Sequence, residues 1–311
     1  MDAVVAHSEA SMAKGSTSFR LASRLFGRRL REDVWQFYAW CRHCDDEIDG
    51  QDHGGRSVAL DAETRRARLG ALRRETHAAM AGETVTNPAF VAFQRVALRR
   101  RIPEQWPLEL LDGFAMDVDG RSYETVEETL EYCWGVAGVV GVMMAIIMGA
   151  RQDPEVLRRA QDLGLAFQLT NICRDVSEDA ENGRIYLPAE SLRRAGVPAN
   201  IAMILDPENR PAVFLAVREQ LELAEVYYRS ARQGLRALPF RGALAVAAAR
   251  EVYREIGRRV LRRGPEALAS RMSAPKGVMA GLVLRGALVA IWSRAERLWP
   301  APARPALWSR L

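Results

Sequence analysis

A chain of 311 residues with 49% hydrophobic and 27% charged residues has an ordinary globular balance. That excludes a disordered or fibrous polymer and leaves enough length to bury a large core without staples. The net charge of +5 is small and dispersed, so no nucleic-acid partner is expected.

The N-terminus carries no basic stretch ahead of a long apolar run, so a secretory signal is not expected. From Leu30 to Asp49, the residues Val34, Phe37, Tyr38, Cys41 and Ile48 recur at helical spacing. From Asp61 to Met80 a charged helix keeps only a thin apolar stripe of Leu69, Leu72, Ala79 and Met80. Further helices are predicted over roughly 104–118, 124–150, 153–180, 209–236, 241–263 and 276–297. Breaks fall at Asn87-Pro88, Gly120-Arg121-Ser122, Asp153-Pro154, Gly196-Val197-Pro198, Asp206-Pro207 and Leu238-Pro239. Alternating Val/Ile/Thr runs are missing, so no strand is predicted. None of the breaks is long enough for an interdomain linker. The expectation is one all-α domain over 1–311, with an irregular Pro-rich tail from about 299.

Tyr132 to Ala150 holds no charged residue and is as long as a membrane span. Gly135, Gly138 and Gly141 recur at every third position and narrow one helix face. That face admits a neighbouring helix or a long slender ligand. The segment is read as the buried central helix of a bundle.

Two acidic clusters carry the chemistry. The first is Arg42-His43-Cys44-Asp45-Asp46-Glu47-Ile48-Asp49, and the second Asn171-Ile172-Cys173-Arg174-Asp175-Val176-Ser177-Glu178-Asp179. Asp45 and Asp49, like Asp175 and Asp179, are four apart and so share a helix face. Like charges at that spacing destabilise a helix, and a cation between them reverses the sign. Paired hard oxygens suit Mg²⁺, which bridges to substrate phosphates. Arg42 and Arg174, just upstream, suit the same phosphates. The implied reaction is metal-assisted departure of a diphosphate, leaving a carbocation that aromatic faces and a dry cavity protect.

Other chemistries fit worse. No His has a Glu three residues before it, as a di-iron bundle needs. Cys41-x-x-Cys44 has no second Cys-x-x-Cys to complete a zinc site, and the four cysteines in all are too scattered for disulfides, which points to a reducing compartment. There is no dinucleotide or phosphate-binding glycine loop. Arg254, Arg258, Arg259, Arg262 and Arg263 form a basic face, read as solvated, with nucleic acid or anionic lipid as the alternatives.

Tyr38-Ala39-Trp40-Cys41-Arg42-His43-Cys44-Asp45-Asp46-Glu47-Ile48-Asp49 resembles the first signature of the squalene/phytoene synthases, closest to the bacterial phytoene-forming branch. Three later stretches agree: Tyr132 to Gly141, Gln168 to Asp179, and Gly183-Arg184-Ile185-Tyr186-Leu187-Pro188. The resemblance runs in order from about Ser16 to Lys276.

It implies a single large helical bundle of the isoprenoid synthase type with a central cavity. It implies Mg²⁺-dependent head-to-head condensation of two geranylgeranyl diphosphates to phytoene through prephytoene diphosphate. Asp45, Asp49, Asp175 and Asp179 would carry Mg²⁺ or Mn²⁺, with Asn171 and Gln168 assisting. Arg42, Arg174, Tyr253, Arg271 and Lys276 would hold diphosphate. Ser16, Ser18, Phe19 and Tyr38 lie where the first helix of the family meets substrate, and Tyr186 is expected near the cation. No NADPH is expected, although squalene synthases share these motifs and use it. Elongases, cyclases and non-catalytic relatives remain alternatives, and the intact aspartates favour an enzyme. Trp134-Gly135 departs from many relatives and bears on cavity shape. Work in the cytoplasm at the surface of the cytoplasmic membrane, and hand-off to a phytoene desaturase, complete the expectation.

Overall fold

The computed structural model describes residues 2–15, 23, 25–50, 60–273 and 275–311. Among them every regular element is helical. The chain opens with α1 (Ala3–Gly15), α2 (Arg28–Asp49), α3 (Ala62–Ala81), α4 (Pro88–Arg100) and α5 (Gln105–Val118). A continuous rod follows: α6 (Val126–Cys133), a π-helical turn (Trp134–Gly138) and α7 (Val139–Ile147). Then come α8 (Pro154–Glu181), the short α9 (Ala189–Arg194) and α10 (Ile201–Leu205), α11 (Arg210–Gly234), α12 (Phe240–Arg263) and α13 (Lys276–Ala295).

Local chemistry sets these boundaries. Asp61 starts α3 by accepting the Thr64 N–H at 2.7 Å, and Asp153 starts α8 by accepting that of Glu155 at 2.9 Å, both as N-caps. Four helices have no counterpart in the sequence pattern: α1, α4 and the short α9 and α10. α1 mixes Ser and His among its apolar residues and shows no stripe. α4 begins at the predicted Asn87-Pro88 break. Asn87 caps it, Pro88 occupies the first turn, and Phe90, Phe93, Val96 and Ala97 face the core.

The predicted 124–150 helix is interrupted by the π turn at the Trp134-Gly135 departure. The Trp134 indole N–H donates to Glu109, and its ring stands edge-on to Trp106 at 5.9 Å. A Cβ on Gly135 would lie 2.6 Å from Gly113 Cα, and one on Gly164 only 2.3 Å from the Ala137 carbonyl oxygen. The narrow glycine face therefore admits neighbouring helices, α5 and α8. The rod is a core element: its span Val126–Ile147 is apolar enough to cross a membrane but 72% buried in the protein.

α8 runs through the centre, packed against α7, α11 and α12. After Trp299 the chain is irregular but fastened to α8. Arg304 donates to Asp162 at 2.7 Å, Arg159 to the Pro302 carbonyl at 2.7 Å and Arg158 to that of Leu311 at 3.0 Å.

Candidate active site

The acidic clusters occupy the C-terminal turns of α2 and α8. Carboxylates there oppose the negative end of each helix dipole, so neither cluster is placed for helix stability. Arg184, just past α8, ties them together by donating to Asp49 Oδ1 at 2.8 Å, while its own N–H bonds the Asp179 carbonyl at 2.8 Å. Burial pulls its guanidinium down, but Tyr186, Asp117 and Asp49 outweigh that and hold it protonated.

Burial, reinforced by acidic neighbours, pushes the Asp45 carboxyl up to about 7. The same causes push Asp179 up to about 7, with Asp175 the leading neighbour. Asp117 of α5, also raised by burial, is a neighbour of both clusters. Its Oδ1 accepts from the Tyr186 hydroxyl at 2.7 Å and its Oδ2 from that of Tyr132 at 3.1 Å. The two rings stack at 4.6 Å.

The cations are held at the rim. Arg42 pairs with Asp45 at 2.9 Å and Asp46 at 2.7 Å. Arg174 grips Asp175 through two nitrogens, at 2.8 and 2.5 Å. Arg271 reaches Asp175 at 3.1 Å and Glu178 at 3.5 Å. Tyr38 is half-buried on α2, and burial pushes its hydroxyl up to about 12.

Beside Asn171 opens an apolar cavity of about 290 Å³. Gln168, Asn171 and Tyr253 form its polar end, and Tyr253 stacks on Phe167 at 4.3 Å. Val140, Met144, Leu163, Leu238 and Val246 are among its apolar walls, and the small Ala137, Ala160 and Ala249 keep it open. Along α8, Asn171 to Val156 covers about 22 Å at 1.5 Å per residue, the scale of a long prenyl chain. Trp134 is not among the lining residues; its ring is taken up by Trp106 and Glu109, so the departure there shapes helix packing.

Among the described residues no three Asp, Glu, His or Cys side chains converge as a ready metal cage. The donor chemistry nonetheless fits a hard cation. Asn171 Oδ1 is buried with no hydrogen-bond partner, and its amide nitrogen donates to Gln168 at 3.3 Å. An orphan carbonyl one turn before Asp175 on the same helix is a donor that a hard cation such as Mg²⁺ would complete.

Ser16, Ser18 and Phe19 lie outside the described residues, as does the Lys276 side chain. Tyr186 sits at the junction of the clusters and does not line the cavity. Sequence reasoning missed Asp117, Tyr132 and Arg184 as site residues. Asp117 left a signal: it continues the buried stripe of Leu110 and Phe114 on α5, where an acid needs a reason.

A pH prediction follows from the raised carboxyls. An ordinary aspartate titrates near about 3.9; with folded values about 7, the native state binds protons the unfolded chain releases. Their stabilising contribution is full below the unfolded value and lost as pH rises towards 7. The metal-free protein is expected to melt at lower temperature at pH 8 than at pH 6. Added Mg²⁺ should recover more of the difference at pH 8, as read by calorimetry. A melting temperature independent of both would contradict the desolvated acidic site.

The family match covers residues 12–277 and is to "Squalene/phytoene synthase". The chain belongs to the squalene/phytoene synthase family. It is 45% identical to the 15-cis-phytoene synthase of Paracoccus sp. (strain N81106 / MBIC 01143), over 100% of this chain and 99% of that one. It is 48% identical to the phytoene synthase of Pseudescherichia vulneris, over 98% and 97%. Among solved squalene/phytoene synthase folds, a dehydrosqualene synthase in complex with ligand superposes with a TM-score of 0.77 at 25% identity, covering 94% of this chain and 97% of that one. The squalene synthase of Alicyclobacillus acidocaldarius follows at 0.72 and 27% identity, covering 83% and 94%. The all-α isoprenoid synthase architecture is thus common to them and to this chain.

Proposed function

We infer that the protein condenses two geranylgeranyl diphosphates head to head to 15-cis-phytoene through prephytoene diphosphate, releasing two diphosphates and two protons. The observation that carries this reading is the long apolar cavity whose polar end, Gln168, Asn171 and Tyr253, lies one turn before Asp175 on α8, the helix whose acidic end Arg184 ties to Asp49 of α2. Near-full-length relatives named phytoene synthase support the choice of product.

Asp45, Asp49, Asp175 and Asp179, with the Asn171 carbonyl, would hold Mg²⁺ or Mn²⁺, which neutralises charge on the departing diphosphate. Arg42, Arg174, Arg271 and Lys276 bind the phosphates, the arginines by exchanging carboxylate partners for phosphate oxygens. Each ionisation breaks a C1–O bond, and the electron pair leaves with diphosphate. The cavity walls exclude water from the allylic cation, and Phe167 and Tyr253 offer it ring faces. Tyr132 and Tyr186 donate their hydroxyl protons to Asp117, which leaves their oxygen lone pairs available to accept. The overall change loses only diphosphate and protons, so no reductant takes part. The prenyl chain and the product are hydrocarbons, so the enzyme works at the cytoplasmic membrane surface, from which a phytoene desaturase takes the product.

Purified protein incubated with geranylgeranyl diphosphate and Mg²⁺, without NADPH, should yield a 40-carbon hydrocarbon with the mass and spectrum of phytoene. Product appearing only with NADPH, or only the prenyl alcohol, would overturn this reading.

A further inference from the structure

α13 contradicts the habits of a soluble helix. The span Gly277–Leu298 is long and apolar enough to cross a membrane, yet only 17% of it is buried. Its inner side is packed: Gly286 lies so close to α12 that a Cβ there would stand 2.7 Å from Ala248 Cα, and Ala290 and Ser293 are buried. Its outer side carries Leu284, Leu288, Ile291 and Trp292, all more than half exposed and spaced to share one face. Leu298 and Trp299 continue it. Arg294 and Arg297 donate to the Leu238 carbonyl, which brings the exposed Phe240 to the same end.

The charges on α13 itself have one sign. Between Glu266 and Glu296 the chain has no acidic residue, only Arg271, Lys276, Arg285 and Arg294. On α12, Glu251 is buried against Arg250 and Arg285, while Arg285 itself remains 52% exposed. Arg241 and Arg297 are exposed near the C-terminal end of α13. An apolar stripe ending in tryptophans and rimmed by arginine matches the layering of an anionic bilayer surface: acyl chains beneath, interfacial rings, then phosphates. The predicted basic face of α12 is less suited. Arg254 pairs with Glu225, and Arg259 and Arg262 with Glu255.

We propose that the outer face of α13, with Phe240 and Trp299, docks the enzyme on an anionic phospholipid membrane. The proposal rests on the membrane-surface reading above and assigns it to one helix. α12 carries this contact on one side and lines the cavity on the other through Ala245, Val246 and Ala249, so docking holds the cavity one helix from the acyl chains.

The test is flotation of the full chain with vesicles of phosphatidylglycerol mixed with phosphatidylcholine, and with phosphatidylcholine alone. The wild type should float with the mixed vesicles, less so at high salt. The triple variant Leu284→Ser, Leu288→Ser, Trp292→Ser should lose binding by at least about a hundredfold, given the apolar area removed. Its melting temperature and its turnover of detergent-dispersed substrate should stay unchanged. A triple variant that floats like wild type, while Arg262→Ser with Arg263→Ser does not, would overturn the α13 assignment and leave the membrane reading standing. A wild type that binds neither vesicle would overturn both. A wild-type dimer that the triple variant dissociates, without vesicle binding, would assign the face to a second copy and overturn the proposal.

Discussion

Asp179→Asn is expected to remove at least about two orders of magnitude of kcat/KM while raising the melting temperature of the metal-free protein above pH 7. The two effects have one cause. Burial and Asp175 push the Asp179 carboxyl up to about 7, so its charged form destabilises the fold. Asparagine keeps the shape and removes that charge, and with it the proposed metal ligand. Asp49→Asn should lose as much activity but gain no stability, because its carboxylate accepts from Arg184 at 2.8 Å and the change leaves a partly buried cation with a weaker partner. Helix content should be unchanged in both. The double variant should be little worse than the worse single, since parts of one unit do not add. Excess chelator should silence the wild type reversibly. Full activity in either variant, or in the chelator, would rule out aspartate-held metal as the agent of ionisation.

This division of roles was only partly legible in the sequence. The metal-binding candidates stand out because i, i+4 aspartates break a local rule, and a broken rule marks a site. The helix over 30–49 was legible because Val34, Phe37 and Ile48 repeat along one buried stripe. Arg184 and Asp117 were hidden. Arg184 sits in a turn, and its partner Asp49 is far away in sequence. Asp117 differs from a surface acid only by its place on a buried stripe, and Tyr132 resembles a core aromatic until its hydroxyl is seen on Asp117. The exposed face of α13 was hidden for the opposite reason. Its composition is that of a core helix, and only the packing shows that α12 covers one side alone. The π turn at Trp134–Gly138 was likewise out of reach, because it answers to Gly113 and Trp106 on another helix.

Ser23→Phe is expected to shift the ratio of activity with geranylgeranyl diphosphate to that with farnesyl diphosphate by between about fivefold and 150-fold in favour of the shorter substrate, the range that about 1–3 kcal/mol of overpacking spans. In the sequence, Phe19 and Ser23 are one turn apart and so belong on one face of a first helix. In the structure the first helix is α1, well before them, and Phe19 lies outside the described residues. Ser23 itself is 1% exposed and lines the cavity with Phe26. Its hydroxyl accepts from the Trp35 indole N–H at 3.1 Å. A phenyl ring there fills about the space of one isoprene unit in a closely packed wall, so the 20-carbon chain loses room that a 15-carbon chain does not need. The variant also removes the acceptor for Trp35, which costs stability but scales both activities together. Ser23→Ala separates the two effects, because it deletes the acceptor without filling the cavity. It should lower the melting temperature and leave the ratio as in wild type. With both substrates competing in one tube, Ser23→Phe should move the products from 40 towards 30 carbons. An unchanged product ratio in Ser23→Phe would mean that the prenyl chain does not reach this wall.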